Sequence, residues 1–235
     1  MATHQVRALL MGGQACVFYG AAEFSRDTDL AILADADNWQ RLTSALAELQ
    51  AECVAVPPGA MEYLLRGHAL HFRCHHPEAE EMRVDVMSVM RGVDEFPKLW
   101  ERRAAVADED GAVYELLSLS DLVRAKKTQR KRDWPMVQRL LEADYIKNKN
   151  NTYEAQLRFW MREMRTPELL FEICAAQPTL ARELVSKRPL LALTFDGKRD
   201  ELSGALDEEE KLEREKDRAY WQPLRAELER LRHAR

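Results

Sequence analysis

The sequence predicts an α/β domain over residues 1–146, followed by a helical region over residues 147–235. Three observations predict it. Short apolar runs bounded by turn residues alternate with amphipathic stretches up to about Asp144, the pattern of a mixed sheet packed with helices. Leu70, Phe72 and Cys74 interleave with His71, Arg73 and His75 at a period of two, as in a half-covered strand. Beyond the polar linker candidate KNKNN, Lys147 to Asn151, the pattern is nearly all helical, broken at Pro167, Pro178 and Pro189.

Element by element, Val6 to Met11 reads as a short strand ended by Gly12-Gly13, and Gln14 to Tyr19 as a short helix. Asp29 to Leu33 is the next strand. Asn38 to Glu52 is an amphipathic helix, with Trp39, Leu42, Leu46 and Leu49 three and four apart. Cys53 to Val56 is a brief strand stopped by Pro57-Pro58, and two more strands span Ala69 to His75 and Met82 to Val89. Leu117 to Leu122 opens a helix with Ser118 or Ser120 as its cap. Asp133-Trp134-Pro135 reads as another start, Asp133 capping and Pro135 in the first turn. Near the C-terminus Leu224, Leu228 and Leu231 form a narrow stripe that suits a solvated helix packed along one edge, and Pro223 is expected to kink or restart it.

The 235 residues suffice for one sizeable core plus an appendage. A formal net charge of -5 announces no global basic field, so any nucleic-acid role must rest on a local patch. Four scattered cysteines without a CxxC pair argue against a disulfide framework or a zinc ribbon and fit a reducing compartment. With no signal-peptide pattern and no apolar stretch near the roughly 20 residues of a bilayer span, a cytoplasmic protein without membrane contact is expected.

Asp27 and Asp29 flank Thr28 at the head of the apolar run Leu30 to Leu33. On a strand they would share a face with α-carbons roughly 6.5 to 7 Å apart, where two carboxylates must share a proton or a cation. An oxygen-rich pair suits Mg²⁺, although a turn capped by Asp27 would also give this sequence. Upstream, LMGGQA places a double glycine between a strand and a helix, where backbone N–H groups can approach a phosphate. Downstream, MRVDVMS embeds Asp85 in an apolar strand, which requires pairing or ligation of the acid.

GGQACVFYGAAEFSRDTDLAIL, with the later Asp85, resembles the nucleotidyltransferase superfamily of DNA polymerase β, most of all its small bacterial abortive-infection and toxin–antitoxin members. Thr28 stands where those commonly carry an aliphatic residue. Arg26 falls closer to the acids than their arginine usually does, and no role is carried over to it. LLSLSDLVRAKKTQRKRDWPMVQRL, Leu116 to Leu140, is similar to the segment that brings lysines to the nucleotide in that group. The resemblance covers about residues 6 to 145. It implies a metal-dependent enzyme with a mixed-sheet nucleotidyltransferase core, in which Asp27, Asp29 and Asp85 hold Mg²⁺ or Mn²⁺, or Asp85 serves directly as base. Gly12, Gly13 and Ser25 would receive a nucleoside triphosphate, and Lys126 or Lys127 its departing pyrophosphate. The acceptor would be RNA, a protein or a small-molecule hydroxyl. A module of the same fold that binds nucleotide without turnover is the alternative.

Two other patterns carry less. RAKKTQRKR packs six basic residues into nine and serves as a solvated face or a phosphate patch; on one helix Lys127, Arg130 and Lys131 would share a side. In HALHFRCHH, Cys74 alternates away from His71 and His75, which tells against zinc and leaves His71, Arg73 and His75 lining one open sheet face.

Overall fold

The computed structural model describes residues 1–108 and 110–234, and the α/β class expected from the sequence is what it shows. The chain forms two compact units, one of Met1–Ala125 with Ala219–Arg235 and one of Lys126–Arg218. This differs from a boundary at 146/147: the KNKNN stretch ends one helix of the second unit and leads to the next.

In the first unit the order is β1 (Ala8–Met11), α1 (Gly12–Phe18), β2 (Asp27–Ile32), α2 (Ala36–Glu48), β3 (Glu52–Cys53), α3 (Met61–Leu65), β4 (Leu70–Arg73), β5 (Arg83–Met87), α4 (Phe96–Glu101), β6 (Ala104–Ala107), β7 (Val113–Leu116) and α5 (Leu119–Lys126). The seven strands make one mixed sheet ordered β3-β4-β5-β2-β1-β7-β6. Strand β2 is antiparallel to β1 and parallel to β5, while β4 is antiparallel to β5. The β6–β7 hairpin, not anticipated from the sequence, extends the sheet beyond β1 through a parallel β1–β7 pairing.

Local chemistry explains several boundaries. The Asp35 carboxylate accepts from the Asn38 N–H at 2.7 Å and starts α2 two residues before the expected position. The buried Asn38 amide takes the Arg7 N–H and donates to the Arg7 and Leu33 carbonyls, tying the lead into β1 to the exit of β2. Ser118 accepts from the Asp121 N–H and so opens α5 as expected. In β4 and β5 Leu70, Phe72, Val84 and Val86 are buried, while His71, Arg73, Arg83 and Asp85 on the alternate face stay partly open. That alternation is the physical basis of the site.

The second unit holds α6 (Trp134–Asn148), α7 (Glu154–Glu163), α8 (Pro167–Ala176), α9 (Pro178–Leu184), α10 (Ala192–Phe195) and most of α11 (Arg199–His233). Pro167 and Pro178 each begin a helix and Pro189 begins a 3₁₀ turn, positions where the missing N–H is an orphan in any case. Its core is built around Trp160, which is fully buried, donates from Nε1 to Asp144 at 2.7 Å, and meets the edge of Tyr145 at 5.0 Å. The buried Arg188 donates to Glu209 and to the carbonyls of Met161 and Met164.

Three expectations are corrected here. RAKKTQRKR is not one helical face, because α5 stops at Lys126 and a 3₁₀ turn spans Lys131–Asp133. Asp217 captures the Gln129 N–H at 2.7 Å, and Asp133 accepts from Thr128 and Arg130, so side chains hold the backbone that a helix would have used. Asp133 stands at the start of α6 without capping it, since its carboxylate is spent on that turn. Of the kink or restart expected at Pro223, the restart does not occur: α11 runs through it, with Pro223 and Ala219 both exposed to water.

Past residue 218, α11 belongs to the first unit. Leu224 lies over Gly67, and Glu227 bonds Arg66 and, at 2.8 Å, the buried His68. This is the edge-packed helix its leucine stripe suggested.

Candidate active site

Laterally paired residues of a sheet project to the same side, so register decides whether the three acids can meet. In the parallel β2–β5 ladder Asp29 pairs with Asp85, and Asp27 with Arg83. In β4–β5 His71 pairs with Asp85, and Arg73 with Arg83; in β1–β2 Met11 pairs with Asp29. One face therefore carries a row His71, Asp85, Asp29, Met11 and beside it a row Arg73, Arg83, Asp27. The structure brings Asp27, Asp29 and Asp85 to one side of the sheet, on adjacent strands about 5 Å apart.

Acids in register on neighbouring strands repel unless cations lie beside them. Cations answer that repulsion here. Asp85 accepts from Arg83 Nη2 at 3.1 and 3.3 Å and lies 2.9 Å from His71 Nδ1. Burial works to raise the Asp85 pKa, but the His71 hydrogen bond and the His71 and Arg83 charges outweigh it and hold the carboxyl below its usual range. Asp85 thus stays a carboxylate whose oxygens are engaged by Arg83 and His71.

Asp29 sits against the double glycine. The Gly13 N–H donates to Asp29 Oδ2 at 3.3 Å. Gly12 has φ +66°, and a Cβ there would fall 2.6 Å from Asp29 Cβ and overlap its carboxylate outright. A Cβ on Gly13 would come within 2.9 Å of Ser25 Cβ. The glycines therefore admit Asp29 and Ser25 themselves. The Ser25 hydroxyl donates to the Asp27 carbonyl at 3.2 Å, fixing the turn into β2. Thr28, alternating away from both acids, is held by Gln14 at 3.0 Å, which accounts for a polar residue between them. The Asp27 carboxylate has no hydrogen-bond partner among the described residues.

All-oxygen donors on one face fit a hard divalent cation in kind. As they stand, Asp29 is turned to the glycine backbone and Asp85 to Arg83 and His71, and no three metal-ligating side chains gather around one point among the described residues. Lys126 and Lys127 belong to the second unit, where Glu163 pairs with Lys127. Sequence reasoning did not single out Arg83, although its place two residues before Asp85 was the available signal; His71 needed the strand register. No helix among the described residues is long and apolar enough to cross a membrane. Compared with protein-family models and with curated protein sequences, the chain matches none.

Proposed function

We propose that this protein is a metal-dependent nucleotidyltransferase, moving a nucleoside monophosphate from a triphosphate to an acceptor hydroxyl with release of pyrophosphate. The observation that carries the reading is the pairing of Asp29 with Asp85 across β2 and β5, with Asp27 on the same face and the Gly12-Gly13 turn against Asp29. It fits the resemblance in the order and spacing of the same residues. Asp27, Asp29 and Asp85 would hold Mg²⁺ or Mn²⁺, which supplies charge neutralisation of the phosphates. The acceptor oxygen forms a bond to the α-phosphorus, the bond to the α–β bridging oxygen breaks, pyrophosphate leaves and the hydroxyl proton passes to solvent. The chain's own share is positioning: the glycine turn lets Asp29 and Ser25 close on the site, and Ser25 would offer its hydroxyl to the triphosphate.

Incubation with each labelled triphosphate, Mg²⁺ or Mn²⁺, and total RNA or lysate tests the reading. Label transfer that disappears in Asp29→Asn supports it, and transfer undiminished by that substitution overturns it. A second reading is favoured by the engagement of Asp85 with Arg83 and His71: a module of the same fold that binds nucleotide without turnover. It predicts metal-dependent nucleotide binding with no label transferred to any acceptor.

A further inference from the structure

Arg73 and Arg83 pair laterally across β4 and β5, so two guanidinium groups stand side by side on the acid-bearing face. Like charges directly opposite on neighbouring strands are unfavourable unless something anionic lies between or beside them. Their present partners answer only part of that charge. Arg83 leans on Asp85 through Nη2, and Arg73 donates from Nη1 to Glu81 at 2.7 Å in a pair that is largely solvated. The Nε atoms of both side chains are buried without any hydrogen-bond partner among the described residues. A buried N–H left unpaired is destabilising, and here two adjacent forks each leave one.

Position gives this pair a direction. Across the sheet the order is β4, β5, β2, β1, so Asp27 and Asp29 on β2 lie between the arginines on β4 and β5 and the glycine turn that follows β1. If the triphosphate lies at the glycine turn, the arginines flank the acids from the opposite side, where an attacking group must arrive. We infer that Arg73 and Arg83 form a binding site for a phosphate group carried by the acceptor. This rests on the nucleotidyltransferase reading for its direction, while the arginine pair itself is a feature of the fold.

A planar fork takes a phosphate side-on through Nε and Nη together, which would give both orphaned donors a partner. A cation binding at Asp85 would release Arg83 from the carboxylate it now neutralises. The same two charges repel a polycationic acceptor such as an aminoglycoside. The substrate class is therefore a hydroxyl compound bearing a phosphomonoester or phosphodiester, such as a nucleotide or the end of an RNA chain.

The test is binding, not turnover. A fluorescent single-stranded oligoribonucleotide and a 5′-nucleoside monophosphate are titrated into the full chain with Mg²⁺ at several salt concentrations, using wild type, Arg73→Gln and Arg83→Gln. Arg73→Gln leaves the Asp85 contacts intact, and thermal melting of each variant confirms folding. Each substitution is expected to weaken both ligands about tenfold and to lower the oligoribonucleotide salt slope by about 0.7. Nucleoside triphosphate affinity in Arg73→Gln should be unchanged. If only the monophosphate responds, the acceptor is a free nucleotide; if both respond, a chain end is accepted. Equal affinities in wild type and Arg73→Gln overturn the inference, as does a loss confined to the triphosphate. Wild type binding neither phosphate ligand also overturns it, while label transfer to some other acceptor would leave the proposed enzyme standing.

Discussion

Arg102–Asp121 and Arg83–Asp85 are both arginine–aspartate pairs of the first unit, and they differ in how completely they are closed. Asp121 is fully buried, takes Arg102 Nε and Nη2 at 2.6 and 2.7 Å, and accepts from the Ser118 hydroxyl at 2.7 Å. Arg102 also reaches Asp94, and its pKa is driven well above the ordinary arginine value, chiefly by the Asp121 hydrogen bond. Its Nε and Nη2 both have carboxylate partners. Arg83 instead gives Asp85 one nitrogen and leaves Nε unpaired among the described residues, and Asp85 stays partly exposed where Asp121 is closed off. The first pair is closed on itself and holds α5 to the chain after α4. The second is open, and its acid sits in register with another acid, which no structural need explains. Incomplete satisfaction sets the second pair apart, and it is the pair on which the proposed site rests.

The largest effect that tests this contrast is loss of the closed pair. Arg102→Ala should destabilise the protein by about 3 to 5 kcal/mol in denaturant titration, because Asp121 is left charged and buried. A loss below about 1 kcal/mol would erase the distinction. Next, Asp29→Asn should lower label transfer by about three orders of magnitude, roughly 4 kcal/mol of transition-state stabilisation, with a melting temperature close to wild type. A parallel collapse of fold would make Asp29 structural.

Smaller effects sharpen the comparison. Glu227→Ala should cost about 1 to 3 kcal/mol, since the buried His68 loses its partner. The His68 hydrogen bond, against the opposing effect of burial and with help from the His68 and Arg66 charges, holds the Glu227 carboxyl below its ordinary value of 4.5. Its stabilisation is therefore complete above about pH 4.5 and fades as pH falls through the lower folded value. Glu227→Gln should flatten that part of an acid-unfolding curve, and an unchanged slope would remove the pair from the account. Smallest of all, Arg83→Gln should change stability by less than about 1 kcal/mol, as expected of a partly solvated pair. A loss as large as that of Arg102→Ala would show the two pairs to be alike.

The site was legible in sequence as far as residue type and spacing could carry it. Asp27 and Asp29 announced themselves by standing two apart before an apolar run, and Asp85 by lying among Val84, Val86 and Met87. Period-two alternation also placed His71 and Arg73 on an open face of their strand. What one strand's pattern cannot contain is its neighbour: that His71 and Arg83 converge on Asp85 follows only from the β4–β5–β2 register. The basic run misled for a related reason. Its helical end is set by Asp217, nearly ninety positions away in the chain, through a bond to the Gln129 backbone that local propensity does not register. The Gly12-Gly13 turn was read as room for a ligand, whereas the atoms that approach it are those of Asp29 and Ser25.

The first unit is interrupted: its sheet and α1 to α5 are encoded before residue 126, while its edge helix comes only after residue 218. On a ribosome, His68 emerges about 160 positions ahead of Glu227, the carboxylate it bonds. The acid-bearing sheet is accordingly translated long before its last supporting helix, and the whole second unit is made in the interval. The first unit is thereby incomplete until translation has passed residue 227.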